Sequence, residues 1–211
     1  MKKGLFITFE GIDGCGKSTQ TAILKKKLED SGSRCMLTQE PSSGPIGAMI
    51  RQCLTKRISF DERTMACLFA ADRIDHLTNE TSGILKSVNN GTTVICDRYV
   101  LSSFAYQSAG APLDWVMDLN DQAGDIIRPD LHIYMDIPVE MSLERIDRNR
   151  ASHELYETRD RLNKVKSNYE HIIEKLTGLG QESIFTVDAT LSPDAIADKI
   201  WYRVTGLLNN G

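Results

Sequence analysis

The stretch Gly11-Ile12-Asp13-Gly14-Cys15-Gly16-Lys17-Ser18-Thr19 constrains this chain more than any other. It fits the pattern G-x-x-x-x-G-K-[ST], follows a short apolar run at residues 5–9 and opens a helical pattern over residues 17–30. Glycines let the backbone wrap closely enough for successive N–H groups to point at phosphate oxygens. The helix N-terminus behind them adds a favourable dipole. In such a loop Lys17 reaches the outer phosphates of a nucleoside triphosphate, Ser18 offers a hydroxyl to Mg²⁺, and the whole run Gly11 to Thr19 forms the ATP cradle. The bland alternative, a glycine turn that only caps a helix, does not require the lysine and the hydroxyl that follow.

Four more apolar runs, at residues 35–38, 92–96, 131–136 and 184–187, read as buried strands. Helical patterns lie between and after them, at 46–55, 61–78, 138–150, 154–176 and 193–208. This alternation predicts an α/β fold of three layers, a parallel sheet of about five strands with helices on both faces. Gly32 closes the first helix, Pro138 opens another, and Ser192 stands as N-cap before Pro193. With 211 residues the chain is expected to form one domain, 1–211, with a short lid at about 145–159.

Composition narrows the function. With 25 Lys+Arg against 29 Asp+Glu the net charge is -4, the wrong sign for a general binder of nucleic acid or anionic membranes. The five cysteines contain no CxxC pair, so neither a disulfide framework nor a zinc ribbon is indicated, and a reducing cytoplasm is the expected location. Glu10 and the glycine loop interrupt the N-terminal apolar run where a secretory segment would continue, and no run approaches the ~18 apolar residues of a membrane span. His76, His132, His153 and His171 are scattered without metal-ligand spacing.

Switches, motors and kinases share the phosphate loop, so other residues must decide between them. A guanine-specific NKxD element is missing, since Asn163-Lys164 continues as Val165-Lys166 inside a helical pattern. Asp121-Gln122-Ala123-Gly124 matches DxxG but follows no strand. Asp97 and Arg98 end an apolar strand, which puts them at the carboxyl edge where open α/β sheets bind ligands. There Asp97 orients Mg²⁺ and Arg98 holds a phosphoryl group, or the two form a surface ion pair. Phe69 and Arg73 are four apart, on one helix face, and face either a pocket or the core. Arg145, Arg148 and Arg150 follow Asp136-x-Pro138-x-Glu140 and make either a solvated helix face or a mobile, phosphate-covering lid.

Taken in order, Phe9-Glu10-Gly11-Ile12-Asp13-Gly14, Glu40-Pro41, Phe69-Ala70-Ala71-Asp72-Arg73, Asp97-Arg98-Tyr99, Ser102-Ser103, Ala105-Tyr106-Gln107, Arg128-Pro129-Asp130-Leu131, Asp136-Ile137-Pro138 and Asp188-Ala189-Thr190 resemble the thymidylate kinase family over nearly the whole chain. The resemblance implies a P-loop kinase fold, ATP and Mg²⁺ dependence, dTMP as acceptor and a homodimer. It implies that Phe69 stacks on thymine, that Arg73 contacts the base, and that Arg98 and Arg51 meet the acceptor phosphate. Asp13 lies near the 3′-hydroxyl and the metal, Ser103 and Gln107 line the base edge, and Glu40 and Pro41 belong to the dTMP site. Tyr106 crowds the sugar 2′ carbon, and Arg145 lies against adenine. Some relatives carry an arginine inside the phosphate loop; here Gly14 and Cys15 fill that stretch, which moves the catalytic role to the lid arginines Arg148 and Arg150. The DRFE-like run after the lid is replaced by Ser152-His153-Glu154-Leu155-Tyr156-Glu157, and Ser42-Ser43-Gly44 replaces Gly-Gly-Thr after Glu40-Pro41. The rival readings are a kinase for another nucleoside monophosphate or a deoxynucleoside and, from a different class, a nucleotide-gated switch. Cys15, beside Lys17 at a helix N-terminus, is expected to be the most alkylation-sensitive thiol.

Overall fold

A computed structural model describes residues 3–149, 156, 158–180 and 182–210. In chain order the first half holds β1 (Phe6–Glu10), α1 (Lys17–Asp30), β2 (Cys35–Gln39), α2 (Pro45–Leu54), α3 (Glu62–Thr78), α4 (Ile84–Asn89) and β3 (Thr93–Asp97). The second half holds α5 (Val100–Gln107), α6 (Leu113–Ile126), β4 (Leu131–Asp136), α7 (Val139–Asn149), α8 (Arg159–Gly178), β5 (Ile184–Asp188) and α9 (Pro193–Asn210). All strands pair in parallel, in the order β2-β3-β1-β4-β5. The expected parallel sheet of about five strands is thus present, with β1 at its centre.

Strand alternation assigns the two faces. Ile7, Phe9, Ile95 and Ile133 point one way and pack with Leu24 and Leu28 of α1, which lies beside α9. Phe6, Val94 and Cys96 point the other way, against Leu77 of α3, Ile84 and Val88 of α4 and Ala123 of α6. Tyr134 of β4 faces the same side and meets Tyr169 of α8. Chain order reverses across β1, because the connection to β2 and the later β4 lie on opposite sides of it. The crevice at the carboxyl ends of β1 and β3 is therefore the place where such a sheet receives a ligand.

The largest shift of a boundary from the sequence reading is in α8. The last long helix before β5, expected from residue 154, begins at Arg159, where the Thr158 side chain accepts from the Arg161 N–H and caps it. The DxxG match lies inside α6, and Asn163-Lys164 lies inside α8, so neither belongs to a loop that would grip a guanine. Of the expected lid, Arg145 and Arg148 sit on α7, and Arg150 lies outside the described residues.

Candidate active site

The phosphate loop is wedged between β1, the end of β4 and α7. Gly11 has φ 135°, and a Cβ there would stand 2.8 Å from the Met135 carbonyl oxygen. Gly14 has φ 74°, and its Cβ would meet the Ser142 carbonyl at 2.6 Å. Both positions therefore need glycine on two counts, backbone angle and space. Ser142 donates to the Asp13 carbonyl at 2.5 Å and ties the loop to α7. Gly16 caps α1 without a side-chain acceptor, so the first-turn N–H groups are left for an anion. The buried Lys17 ammonium donates to the Gly11 and Ile12 carbonyls at 3.1 and 3.0 Å and lies 3.6 Å from the Cys15 sulfur. Ser18 donates to Asp97 at 3.0 Å, which brings the two expected metal residues together.

Across the cleft stands Arg98, whose φ of 72° is left-handed, a conformation that a non-glycine residue holds only when its surroundings impose it. Its N–H donates to the Phe9 carbonyl at 2.8 Å, and the next N–H, of Tyr99, donates to the buried Glu10 carboxylate at 3.0 Å. Glu10 also accepts from Ser102 at 2.6 Å. Burial raises the Glu10 carboxyl above its ordinary value, against the pull of His132, Ser102, Arg98 and Arg73. The Arg98 guanidinium donates to Asp13 at 2.6 Å, to the Gly11 carbonyl at 3.1 Å and to the Tyr106 hydroxyl at 3.2 Å, and it lies over the Tyr106 ring at 4.8 Å. Tyr106 in turn donates to Asp13 at 2.8 Å. Burial works to raise the Asp13 carboxyl, but Arg98, Lys17 and the Tyr106 hydrogen bond outweigh it and hold it at about 2, below the usual 3.8. Asp13 is thus an anion at neutral pH.

Arg73 is the largest of the fully buried side chains. Its Nε and Nη2 both donate to one Glu40 oxygen, at 2.9 and 2.6 Å, while Nη2 reaches Ser103 at 3.0 Å and Nη1 reaches Asn120. The other Glu40 oxygen meets His76 at 3.3 Å. Phe69, one turn earlier on α3, lines the cleft, as the four-residue spacing required. Arg51 points elsewhere: it donates to the Pro41 carbonyl at 3.0 Å and to that of Ser42, and it holds the loop after β2 rather than lining the cleft. That loop is also fixed by Asp72, which accepts from the Ser42 N–H and hydroxyl, both at 2.6 Å.

On the far side Arg145 donates to the Cys15 carbonyl at 3.5 Å and the Ala189 carbonyl at 3.1 Å, next to Leu191, Pro193 and Ile196. Of the expected site residues, Asp13 to Thr19, Glu40, Pro41, Phe69, Arg73, Asp97, Arg98, Ser103, Tyr106, Gln107 and Arg145 line one continuous cleft of about 640 Å³. Arg148 is exposed and pairs with Glu144 at 3.6 Å. Sequence reasoning missed Gln20, Leu54, Tyr99, Met135, Ile146 and Tyr156 as lining residues, since nothing in their local spacing marks a cleft wall. One expectation needs correction. Cys15 is 1 % exposed, whereas Cys67 is the exposed thiol. Brief alkylation read by peptide mass is therefore expected to modify Cys67 first, and faster labelling of Cys15 would contradict its burial.

A glycine loop with its lysine and hydroxyl, facing the buried Arg73 and the partly buried Arg98, defines a nucleotide-dependent phosphotransferase of the P-loop kinase class. The comparisons with known proteins make the class specific. Residues 9–200 match the family model described as thymidylate kinase. The chain is 36 % identical over 213 residues to the thymidylate kinase of Thermomicrobium roseum, with 98 % of this chain and 97 % of that one covered. It is 39 % identical to two proteins named probable thymidylate kinase: over 180 residues (82 % and 84 % covered) from Pyrococcus horikoshii and over 193 residues (91 % and 92 %) from Pyrobaculum aerophilum. The chain belongs to the thymidylate kinase family, and the choice left open by the loop alone falls to the ATP-dependent kinase rather than the switch.

Proposed function

We propose that this cleft transfers the γ-phosphoryl of ATP to dTMP, giving dTDP and ADP, with ATP on the phosphate loop and dTMP in the arginine-lined half. The observation that carries this reading is the continuity of the cleft: Lys17 and Ser18 on one wall and Arg73, Arg98, Tyr106 and Phe69 on the other enclose a single space. In-line attack by a phosphate oxygen needs the two nucleotides end to end, and a shared cavity supplies that positioning. The acceptor phosphate is largely ionised at neutral pH, so no general base is required, and no histidine lines the cleft among the described residues. Lys17 and Arg98 supply positive charge where negative charge is carried by the transferring phosphoryl group in the transition state.

In this reading Phe69 stacks on thymine, and Arg73, Ser103 and Gln107 hold the base. Glu40 fixes Arg73, while Pro41 and Arg51 shape the loop toward the acceptor phosphate. Asp13 meets the sugar 3′ side and pins Arg98, and Tyr106 walls the 2′ carbon. Arg145 lies against adenine, and Arg148 and Arg150 bring lid charge to the phosphates. The Ser18 hydroxyl and the Asp97 carboxylate, 3.0 Å apart, are the hard oxygen donors that suit Mg²⁺. Bound there, Mg²⁺ offsets charge on the triphosphate. Exposed Met49, Ile58 and Phe60 around α2 support a homodimer, and five free thiols support a cytoplasmic location. No helix among the described residues is long and apolar enough to cross a membrane.

The test is ADP production from ATP and Mg²⁺ with dTMP, dUMP, UMP, CMP, AMP and GMP as acceptors, with Lys17→Ala as the blank. The expected result is a preference for dTMP over UMP of about 10² or more in kcat/KM, a margin of about 2.7 kcal/mol. Turnover that is flat across acceptors would remove the substrate assignment.

A further inference from the structure

Arg161, on the first turn of α8, makes no contact with the phosphate loop, yet it joins three segments that wall the acceptor half of the cleft. Its Nη2 donates to Glu62 at 3.0 Å, at the start of α3, the helix that carries Phe69 and Arg73. The same nitrogen donates to the Tyr106 carbonyl at 3.1 Å, at the last turn of α5, where the negative end of the helix dipole favours a cation. Its guanidinium lies over the Tyr156 ring, 4.9 Å from the centroid. Tyr156 is 6 % exposed, lines the cleft and tilts against Tyr106 with centroids 5.7 Å apart. Tyr106 is thus held at both ends, its hydroxyl by Asp13 and Arg98 and its backbone carbonyl by Arg161.

We propose that Arg161 is a positioning residue for the acceptor nucleotide: through the Tyr156 stack and the Tyr106 carbonyl it fixes the two tyrosine rings that shape the sugar pocket. The inference rests on the reading that the acceptor lies against Tyr106. Arg161 touches no group on the ATP side, so its effect is confined to the acceptor. A guanidinium serves here where an ammonium does not, since only the planar group both stacks on a ring and donates in its own plane.

The experiment is steady-state kinetics of the full chain with Arg161→Ala, Arg161→Lys, Tyr156→Ala and the Tyr156→Ala/Arg161→Ala double variant, each with a thermal melt. Arg161→Ala is expected to raise KM for dTMP about tenfold, and to lower the preference for dTMP over UMP about as much, while kcat and KM for ATP stay within about twofold. Arg161→Lys keeps the charge near Glu62 and the Tyr106 carbonyl without the stack, so it falls between the wild type and Arg161→Ala. The effect of the double variant is expected to be smaller than the two single effects combined, because the stack of Arg161 on Tyr156 is shared between them. An unchanged KM for dTMP, or a joint rise in both KM values with a lower melting temperature, overturns the proposal. If the wild type itself fails to prefer dTMP over UMP, the substrate reading falls and this inference falls with it. If the wild type discriminates and Arg161→Ala discriminates equally, only the inference falls.

Discussion

Lys17→Ala lowers kcat by about 10³-fold while the chain keeps its fold, the range seen when a preorganised cation aimed at a transferring phosphoryl is removed. The ammonium is 6 % exposed and lies against the Gly11 and Ile12 carbonyls, 3.1 and 3.0 Å away, inside the turn that presents backbone N–H groups to the phosphates. Its charge therefore acts from a site largely shielded from water, where a cation is felt more strongly than at a surface. Structural loss is small, because alanine is a good first-turn residue. Calorimetric titration separates the effects: dTMP affinity is expected within about threefold of wild type, since the acceptor half is built from α3 and α5, while turnover collapses. A kcat within tenfold of wild type would show that the loop backbone alone stabilises the transferring group. Lys17→Arg is not expected to rescue, because the wider guanidinium has no room above Cys15, which packs 3.6 Å from Nζ.

Much of this arrangement is legible in the chain. The first helix runs over residues 17–30 as the spacing requires, because Gly16 and Gly32, both at positive φ, punctuate it at each end. The strands are short and bounded, and each falls within a residue of its expected limits; β1, β3 and β4 are buried on both faces, which leaves the chain least choice there, while the edge strands β2 and β5 are only partly buried. The helices that escape notice do so for physical reasons. In α5 every residue from Leu101 to Gln107 is buried, so no polar face marks a helical period. In α6 the inward positions Val116, Asn120 and Ala123 are spaced correctly, but one is polar and one is small. A six-residue α4 is too short to show a period. The site divides in the same way. Lys17 and Ser18 open α1 behind the glycine loop, Asp97 and Arg98 stand at the end of β3, and all four are read from local pattern. The pairing of Arg73 with Glu40, of Arg73 with Asn120 and of Arg161 with Glu62 joins residues 33, 47 and 99 apart, and no local spacing encodes such meetings.

Those long-range pairs carry the second large effect. Arg73→Met is expected to cost about 3–5 kcal/mol of folding stability, because it strips a buried carboxylate of its partner. Arg73 and Glu40 side chains are 1 % and 2 % exposed, so water cannot replace the lost cation. His76, 3.3 Å from the second Glu40 oxygen, offers only one further polar contact. The double variant Arg73→Met/Glu40→Gln removes the stranded charge as well as its partner, and at least half of the lost stability is expected to return, with Asn120 and Ser103 left to pair with the new amide or with water. Urea unfolding of the two variants and the wild type reads the difference directly. Function does not return with stability, because the guanidinium that reaches Ser103 at 3.0 Å beside the base pocket is absent in both. Saturation with dTMP is therefore expected to fail in the stable double variant while ATP binding persists, since none of the groups around Lys17 or Arg145 rests on this pair. If Arg73→Met costs less than about 1 kcal/mol, the buried pair is not what holds the loop after β2 to α3. If the double variant regains dTMP affinity along with stability, Arg73 serves the fold alone and the base is read by Phe69, Ser103 and Gln107.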